Sequence, residues 1–76
     1  MTRDTWLAAR ILLGWSPEQL ARVAKVPVAS VLTLERIGSA AAEHKDRVRD
    51  AVVAAGIEFV DQTSSGPGVR RRKPDQ

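Results

Sequence analysis

A chain of 76 residues has room for one small domain, and the absence of cysteine excludes disulfides and thiolate metal sites. The net charge of +3 and the sequence pI near 10.2 suit an anionic partner, although basic domains often carry such a charge for solubility alone. No apolar run is long enough to span a bilayer and the first residues do not form a signal peptide, so we expect no membrane partner and a cytoplasmic location. His44 is the only histidine and has no ligand set around it, so we expect no metal and no other cofactor.

The first predicted helix begins at Thr2 or Asp4, either of which can cap it, and ends at about Leu13. Gly14 follows as a natural C-terminal stop. The residues that recur at helical spacing are Trp6, Leu7, Arg10, Ile11 and Leu13.

The second predicted helix has a marked start. Ser16 can cap its N-terminus, and Gln19 three residues later completes a capping box. Pro17 falls at the first helical position, where a missing N–H costs nothing. We expect this helix to end near Ala24, and the residues on its inner face are Leu20, Ala21 and Ala24.

A tight turn at Val26 and Pro27 leads to a third predicted helix, from about Val28 to Arg36. Its inward residues are Val31 and Leu34, and it is followed by Ile37 and Gly38. Two short helices on either side of a tight turn have the layout of a helix-turn-helix, in which the second helix lies in the major groove of DNA. Yet the leading face of this helix is almost without groups that read bases; it consists of Val28, Ala29, Leu32 and Thr33.

A fourth helix is predicted from about Ala41 to Ala55, with charged residues on its solvated faces and Gly56 at its end. Its apolar stripe consists of Val48, Val52 and Ala55. The pattern then changes period, because residues 57–60 alternate like a half-buried strand and residues 69–72 can form the returning strand. We therefore expect a helix-turn-helix domain at 1–56, a β-strand or hairpin extension at 57–73 and a disordered tail at 74–76.

Several of these segments resemble the Cro/C1-type, or Xre-like, family of helix-turn-helix regulators; they are Leu13-Gly14-Trp15-Ser16, Leu20-Ala21, Val26 and Leu34-Glu35-Arg36. The runs at 54–60 and 66–70 also look like a frequent extension of small bacterial Xre-like proteins. The resemblance implies a mostly α fold, a four-helix Xre-like helix-turn-helix domain with a C-terminal β-strand or hairpin. It also implies a DNA-binding transcriptional regulator of bacterial or phage type.

The resemblance assigns contacts to individual positions. Ser16 matches a phosphate-contacting residue at a capped helix start, which is itself a good anion site. Arg36 stands where family members approach the DNA backbone, and Arg10 and Glu35 match a partly buried structural ion pair. The full set of predicted DNA-binding residues is Ser16, Lys25, Val28, Ala29, Ser30, Thr33 and Arg36.

The chain departs from the family pattern around the turn. Lys25 stands where the family usually has a left-handed Gly, at a cost of roughly 1 kcal/mol, and it puts a cation near the groove. Pro27 replaces the usual Ser or Thr cap and cannot cap through a side chain. Val28 and Ala29 can touch a thymine methyl but cannot make bidentate hydrogen bonds to bases. Ile37 replaces a Gly, which is shifted to Gly38.

Two functions remain open from the sequence. The first is duplex DNA binding, led by phosphate contacts. The second is a protein-interaction adaptor that presents Val28, Ala29 and Leu32 to a transcription factor, a polymerase or a toxin. We do not expect an enzyme or a small-molecule substrate, because the chain has no nucleophile–base pair, metal ligand cluster or phosphate-binding glycine loop.

The C-terminal segment also has two interpretations. Ile57, Phe59 and Val69 alternate in a way that suits pairing with a second copy, which would give a homodimer with two recognition helices. The alternative is a hairpin that folds back on its own fourth helix. The basic run 70–73 is either an arm on the phosphate backbone or an edge strand whose charges block further pairing.

Overall fold

The computed structural model describes residues 2–60 and 68–72 of the chain, and the predicted mostly α fold with a C-terminal hairpin is confirmed over them. The elements in chain order are α1 (Arg3–Leu13), α2 (Pro17–Ala24), α3 (Val28–Ile37), α4 (Ala42–Ala54), β1 (Ile57–Phe59) and β2 (Val69–Arg71). None of the described helices is both long and apolar enough to cross a membrane.

The helix boundaries lie close to the predicted ones, with small corrections. Thr2 is the N-cap of α1, but neither it nor Asp4 caps the helix through its side chain; the Thr2 hydroxyl lies 3.2 Å from that of Thr5. Ile37 belongs to α3 rather than following it, because the left-handed Gly38 is the residue that ends the helix. Helix α4 is one residue shorter at each end than predicted.

One apolar core holds the helices and the hairpin together. Helix α2 packs against both α3 and α4, while α1 packs against α3 and β2. The buried apolar residues are Trp6, Ala9, Leu20, Ala21, Ala24, Val26, Val31, Leu34, Val48, Val52 and Ile57. Ile11 shares the predicted helical spacing of α1 but lies outside this core, with 60% of its surface exposed.

The hairpin covers one end of the helical core. Strands β1 and β2 are antiparallel, with Glu58 opposite Arg70 and Phe59 opposite Val69. The Phe59 ring meets Trp6 edge-on at a centroid distance of 6.0 Å, a favourable arrangement for two aromatic rings. The strands therefore pack on α1 and α4, and this packing supplies the stability that a lone two-stranded hairpin lacks.

Candidate nucleic-acid interface

The orientation of α3 is set by an ion pair with α1. Arg10 donates from Nε and Nη2 to the two carboxylate oxygens of Glu35, at 2.7 and 2.9 Å. Its third contact, from Nη1 to the carbonyl of Trp15 at 2.9 Å, reaches the segment that leads into α2. The predicted Arg10–Glu35 pair is thus confirmed, and it fixes both helices of the helix-turn-helix relative to α1.

The start of α2 is the capping box that the sequence predicts. The Ser16 hydroxyl accepts a hydrogen bond from the backbone N–H of Gln19 at 3.1 Å, and the Gln19 side chain accepts one from the Ser16 backbone at 2.7 Å. A serine hydroxyl that accepts one bond keeps its own proton. Ser16 can therefore cap the helix and still donate to an anion such as a phosphate.

The turn between α2 and α3 has the predicted left-handed residue. Lys25 lies at φ 59° and ψ 47°, and among the described residues it is the only one besides glycine at positive φ. Its backbone carbonyl accepts a hydrogen bond from Nη1 of Arg47, on α4, at 3.2 Å. The strained turn is thus braced from α4, and the Lys25 side chain is exposed beside it.

The outward face of α3 is aliphatic over its first two turns. Val31 and Leu34 are each only 1% exposed, whereas Val28 is 36% and Leu32 is 50% exposed on the opposite side. Ala29 is exposed between these last two residues. We call Val28, Ala29 and Leu32 the aliphatic face.

The two hydroxyls of α3 already have partners. Ser30 Oγ lies 2.8 Å from Nδ1 of His44, so this side chain joins α3 to α4 rather than standing with the outward residues. Thr33 donates its hydroxyl to the carbonyl of Ala29, one helical turn earlier, at 2.8 Å. Of the predicted DNA-binding residues, Ser30 is therefore separated from the aliphatic face, and Thr33 has its donor engaged.

Cations stand at both ends of α3. Lys25 precedes the helix with Arg47 beside it, and Arg36 lies in its last turn with Arg3 donating to the Arg36 carbonyl at 3.3 Å. Arg47 is paired with Glu43 at 2.7 Å, and Arg3 lies 4.0 Å from Asp4. Among these groups, Lys25 at one end and Arg36 at the other are the positive charges that remain without a carboxylate partner.

Sequence reasoning missed Arg3 and Arg47. Arg3 reaches Arg36 across 33 positions and Arg47 reaches Lys25 across 22, both by bonding to a backbone carbonyl. The types of residue along a sequence do not predict such contacts, because every residue has a backbone carbonyl. The i,i+4 spacing of Glu43 and Arg47 is apparent in the sequence, but it predicts only an exposed ion pair along one helix.

The predicted dimerisation residues lie against the chain's own core. Ile57 is 2% exposed, and Phe59 and Val69 are half-buried against the helices. The hairpin thus folds back on its own helices, and the side chain of Ile57 is not accessible to a second copy. Within the described part of the chain, the outer edge of β1 stays available to a second copy.

The first two residues of the basic run lie in a strand. Arg70 and Arg71 belong to β2, and Nε of Arg70 pairs with the Glu58 carboxylate at 2.8 Å. Both arginines are exposed, and Lys73 lies outside the described residues. An edge strand with charged side chains resists pairing with other strands, as the second interpretation of this run held.

Comparisons with protein families, curated proteins and solved structures found no match to this chain. Among the described residues, no group of three or more His, Asp or Glu side chains could hold a metal ion. The basis for assigning a function is therefore the geometry of the helix-turn-helix itself.

Proposed function

We propose that this chain is a DNA-binding transcriptional regulator of the Xre-like helix-turn-helix type, with α3 as the helix that enters the major groove. The observation that supports this most is the pair of exposed cations, Lys25 and Arg36, at the two ends of an outward-facing α3. A helix of 10 residues is about 15 Å long, which is close to the roughly 12 Å width of the groove. Cations at its ends can therefore meet phosphates on both sides.

Most of the affinity then comes from phosphate contacts. Lys25 and Arg36 each supply a charge, and Ser16 supplies a hydroxyl proton and the N-terminus of α2. The Glu35 carboxylate, which would repel a phosphate, is only 10% exposed and is neutralised by Arg10. Such binding requires no cofactor.

Binding to a labelled random-sequence duplex of about 24 base pairs, slightly more than two turns of DNA, tests the proposal when it is repeated over a range of salt concentrations. We expect affinity to fall steeply with salt, and Lys25→Ala or Arg36→Ala to reduce the salt slope by about one each. Arg49→Ala is the matched control, because Arg49 is an exposed arginine two positions from Arg47 and so on another side of α4. No binding at low salt, or charge variants that bind like the parent chain, would overturn the proposal.

A second candidate is a protein-interaction adaptor. The observation that favours it is the 50% exposure of Leu32, next to Val28, on the side of α3 opposite the buried Val31 and Leu34. A transcription factor, a polymerase or a toxin is the kind of partner that such a surface fits. Loss of DNA binding in the experiment above, with the fold intact, would favour this function.

We infer further that DNA is bound by two copies. One α3 helix with an aliphatic face offers few polar contacts to bases, whereas two copies present two such helices to half-sites about 34 Å apart. The outer edge of β1 is the surface through which they can pair, since the charged β2 resists pairing and Ile57 is buried within one copy. Sedimentation of the complex with a duplex should give two chains per duplex; one chain at saturation would contradict the inference.

A further inference from the structure

We propose that α3 selects its DNA sites by the 5-methyl group of thymine, through the aliphatic face of Val28, Ala29 and Leu32. This inference rests on the proposed function, because it concerns what α3 reads once it lies in the major groove. It goes beyond that function by naming the chemical group that decides where the protein binds.

The first step is that both hydroxyls of α3 are already bonded within the protein rather than standing unpartnered beside the aliphatic face. The Ser30 hydroxyl is 2.8 Å from His44, and the Thr33 hydroxyl donates to the Ala29 carbonyl at 2.8 Å. Glu35 accepts both of its hydrogen bonds from Arg10. The remaining polar side chain of the helix is Arg36 in the last turn, while the N-terminal residues of a recognition helix are the ones that contact base edges.

The second step concerns what an aliphatic side chain can recognise. The major-groove edge of DNA presents hydrogen-bond donors and acceptors at every base, and its one apolar group is the methyl of thymine. Leu32 is 50% exposed and Val28 is 36% exposed, one helical turn apart, so together they form a continuous apolar surface. Against guanine or cytosine, this surface would cover polar edges without bonding to them.

The third step is charge complementarity. Lys25 before the helix and Arg36 in its last turn flank the aliphatic face, each with an excess of one positive charge at its end of α3. These cations hold the middle of the helix against base edges between two phosphate backbones. A partner with an apolar centre and an anionic border on both sides matches this pattern, and a thymine-rich major groove has both features.

The experiment compares duplexes that differ by methyl groups alone. One pair is an alternating A·T duplex and the same duplex with deoxyuridine for every thymine; the other is an alternating G·C duplex with cytosine or with 5-methylcytosine. We expect the deoxyuridine duplex to bind about fourfold more weakly for each methyl that leaves the contact, and the 5-methylcytosine duplex to bind more tightly than its unmethylated counterpart. Charge is the same within each pair, so phosphate contacts cancel.

Two variants show whether the methyl effect passes through α3. The double variant Val28→Ser with Leu32→Ser, at two exposed positions that tolerate polar side chains, should bring the affinity ratio of each pair close to one. Val53→Ser on α4, where the parent residue is 40% exposed, is the matched control and should leave both ratios unchanged.

The outcomes separate this inference from the proposed function. If all the duplexes bind with steep salt dependence but the ratios are near one, methyl recognition is overturned and DNA binding stands. If the ratios persist in the double variant of Val28 and Leu32, the methyl effect does not come from the aliphatic face of α3 and the inference is again overturned. If none of the duplexes binds at low salt, the proposed function fails, and this inference fails with it.

Discussion

Arg10 holds both carboxylate oxygens of Glu35, from Nε at 2.7 Å and from Nη2 at 2.9 Å. The side chains are 15% and 10% exposed, so water contributes little to solvating either charge. The hydrogen bond with Glu35 raises the pKa of Arg10 above its ordinary value, more than burial lowers it. The stabilisation from this raised pKa is present below the pKa of Arg10 in the unfolded chain and is lost only as pH rises through the still higher folded value, so it is constant around neutral pH.

Removing one partner of this pair should destabilise the fold. We expect Arg10→Ala or Glu35→Ala to lower the free energy of unfolding by about 3 kcal/mol, because each leaves a nearly buried charge unpaired. Glu43→Ala is the control, since the Glu43–Arg47 pair is exposed and should contribute less than about 1 kcal/mol. Urea unfolding followed by circular dichroism measures both. Equal losses in the buried and the exposed pair would contradict the assignment.

The left-handed Lys25 offers a test that separates strain from charge. Lys25→Gly should raise the free energy of unfolding by about 1 kcal/mol, because glycine adopts a φ of 59° without a Cβ penalty. Lys25→Ala keeps the Cβ and loses the same charge, so it should give no such gain. Both variants should weaken DNA binding alike. A gain in stability from Lys25→Ala would show that charge repulsion, rather than backbone strain, destabilises the turn.

Ile57 links the hairpin to the helical core. We expect Ile57→Ala to lower the free energy of unfolding by about 3 kcal/mol, because the residue is 2% exposed and its loss leaves a cavity. Val60→Ala, just beyond the same strand and 40% exposed in the parent chain, should change it by less than about 0.5 kcal/mol. Thermal unfolding at several protein concentrations measures the stability of both variants. If Ile57→Ala instead halves the mass without loss of stability, Ile57 is a contact between copies.

Removal of the two hydroxyls of α3 should lower the free energy of unfolding by different amounts. Ser30→Ala breaks the contact with His44 that joins α3 to α4 and should cost about 1 kcal/mol. Thr33→Val keeps the shape of the side chain and removes only a bond to a carbonyl of its own helix, so it should cost close to nothing. Chemical unfolding compares them directly. A larger loss in Thr33→Val would mean that its hydroxyl has a structural contact besides the Ala29 carbonyl.

Local signals made much of the fold predictable. The Ser16–Gln19 capping box and the glycines after α1 and α3 mark helix ends through bonds within a few residues, and such bonds follow from residue type and spacing. The left-handed conformation at Lys25 and the pairing of Arg10 with Glu35 were predicted from a resemblance to the Xre-like pattern, and the structure has both.

The parts of the site that escaped prediction depend on how helices pack. Ser30 looks like a surface residue of α3 until the angle between α3 and α4 brings His44 to within 2.8 Å. The exposure of a side chain also depends on distant parts of the chain: Ile11 has helical spacing but is 60% exposed, whereas Ile57 is covered by the helices. Residue spacing specifies a face of one element and says nothing about which neighbour meets it.

Strand β2 packs against α1, so the last described element of the chain contacts the first helix. During synthesis α1 leaves the ribosome early and must wait for residues 69–71 before Trp6 and Phe59 can be enclosed together. Contacts of such long sequence separation form late, after the local helices. The helix-turn-helix can therefore assemble on the nascent chain, while the final closure of the domain has to follow the emergence of its C-terminal strand.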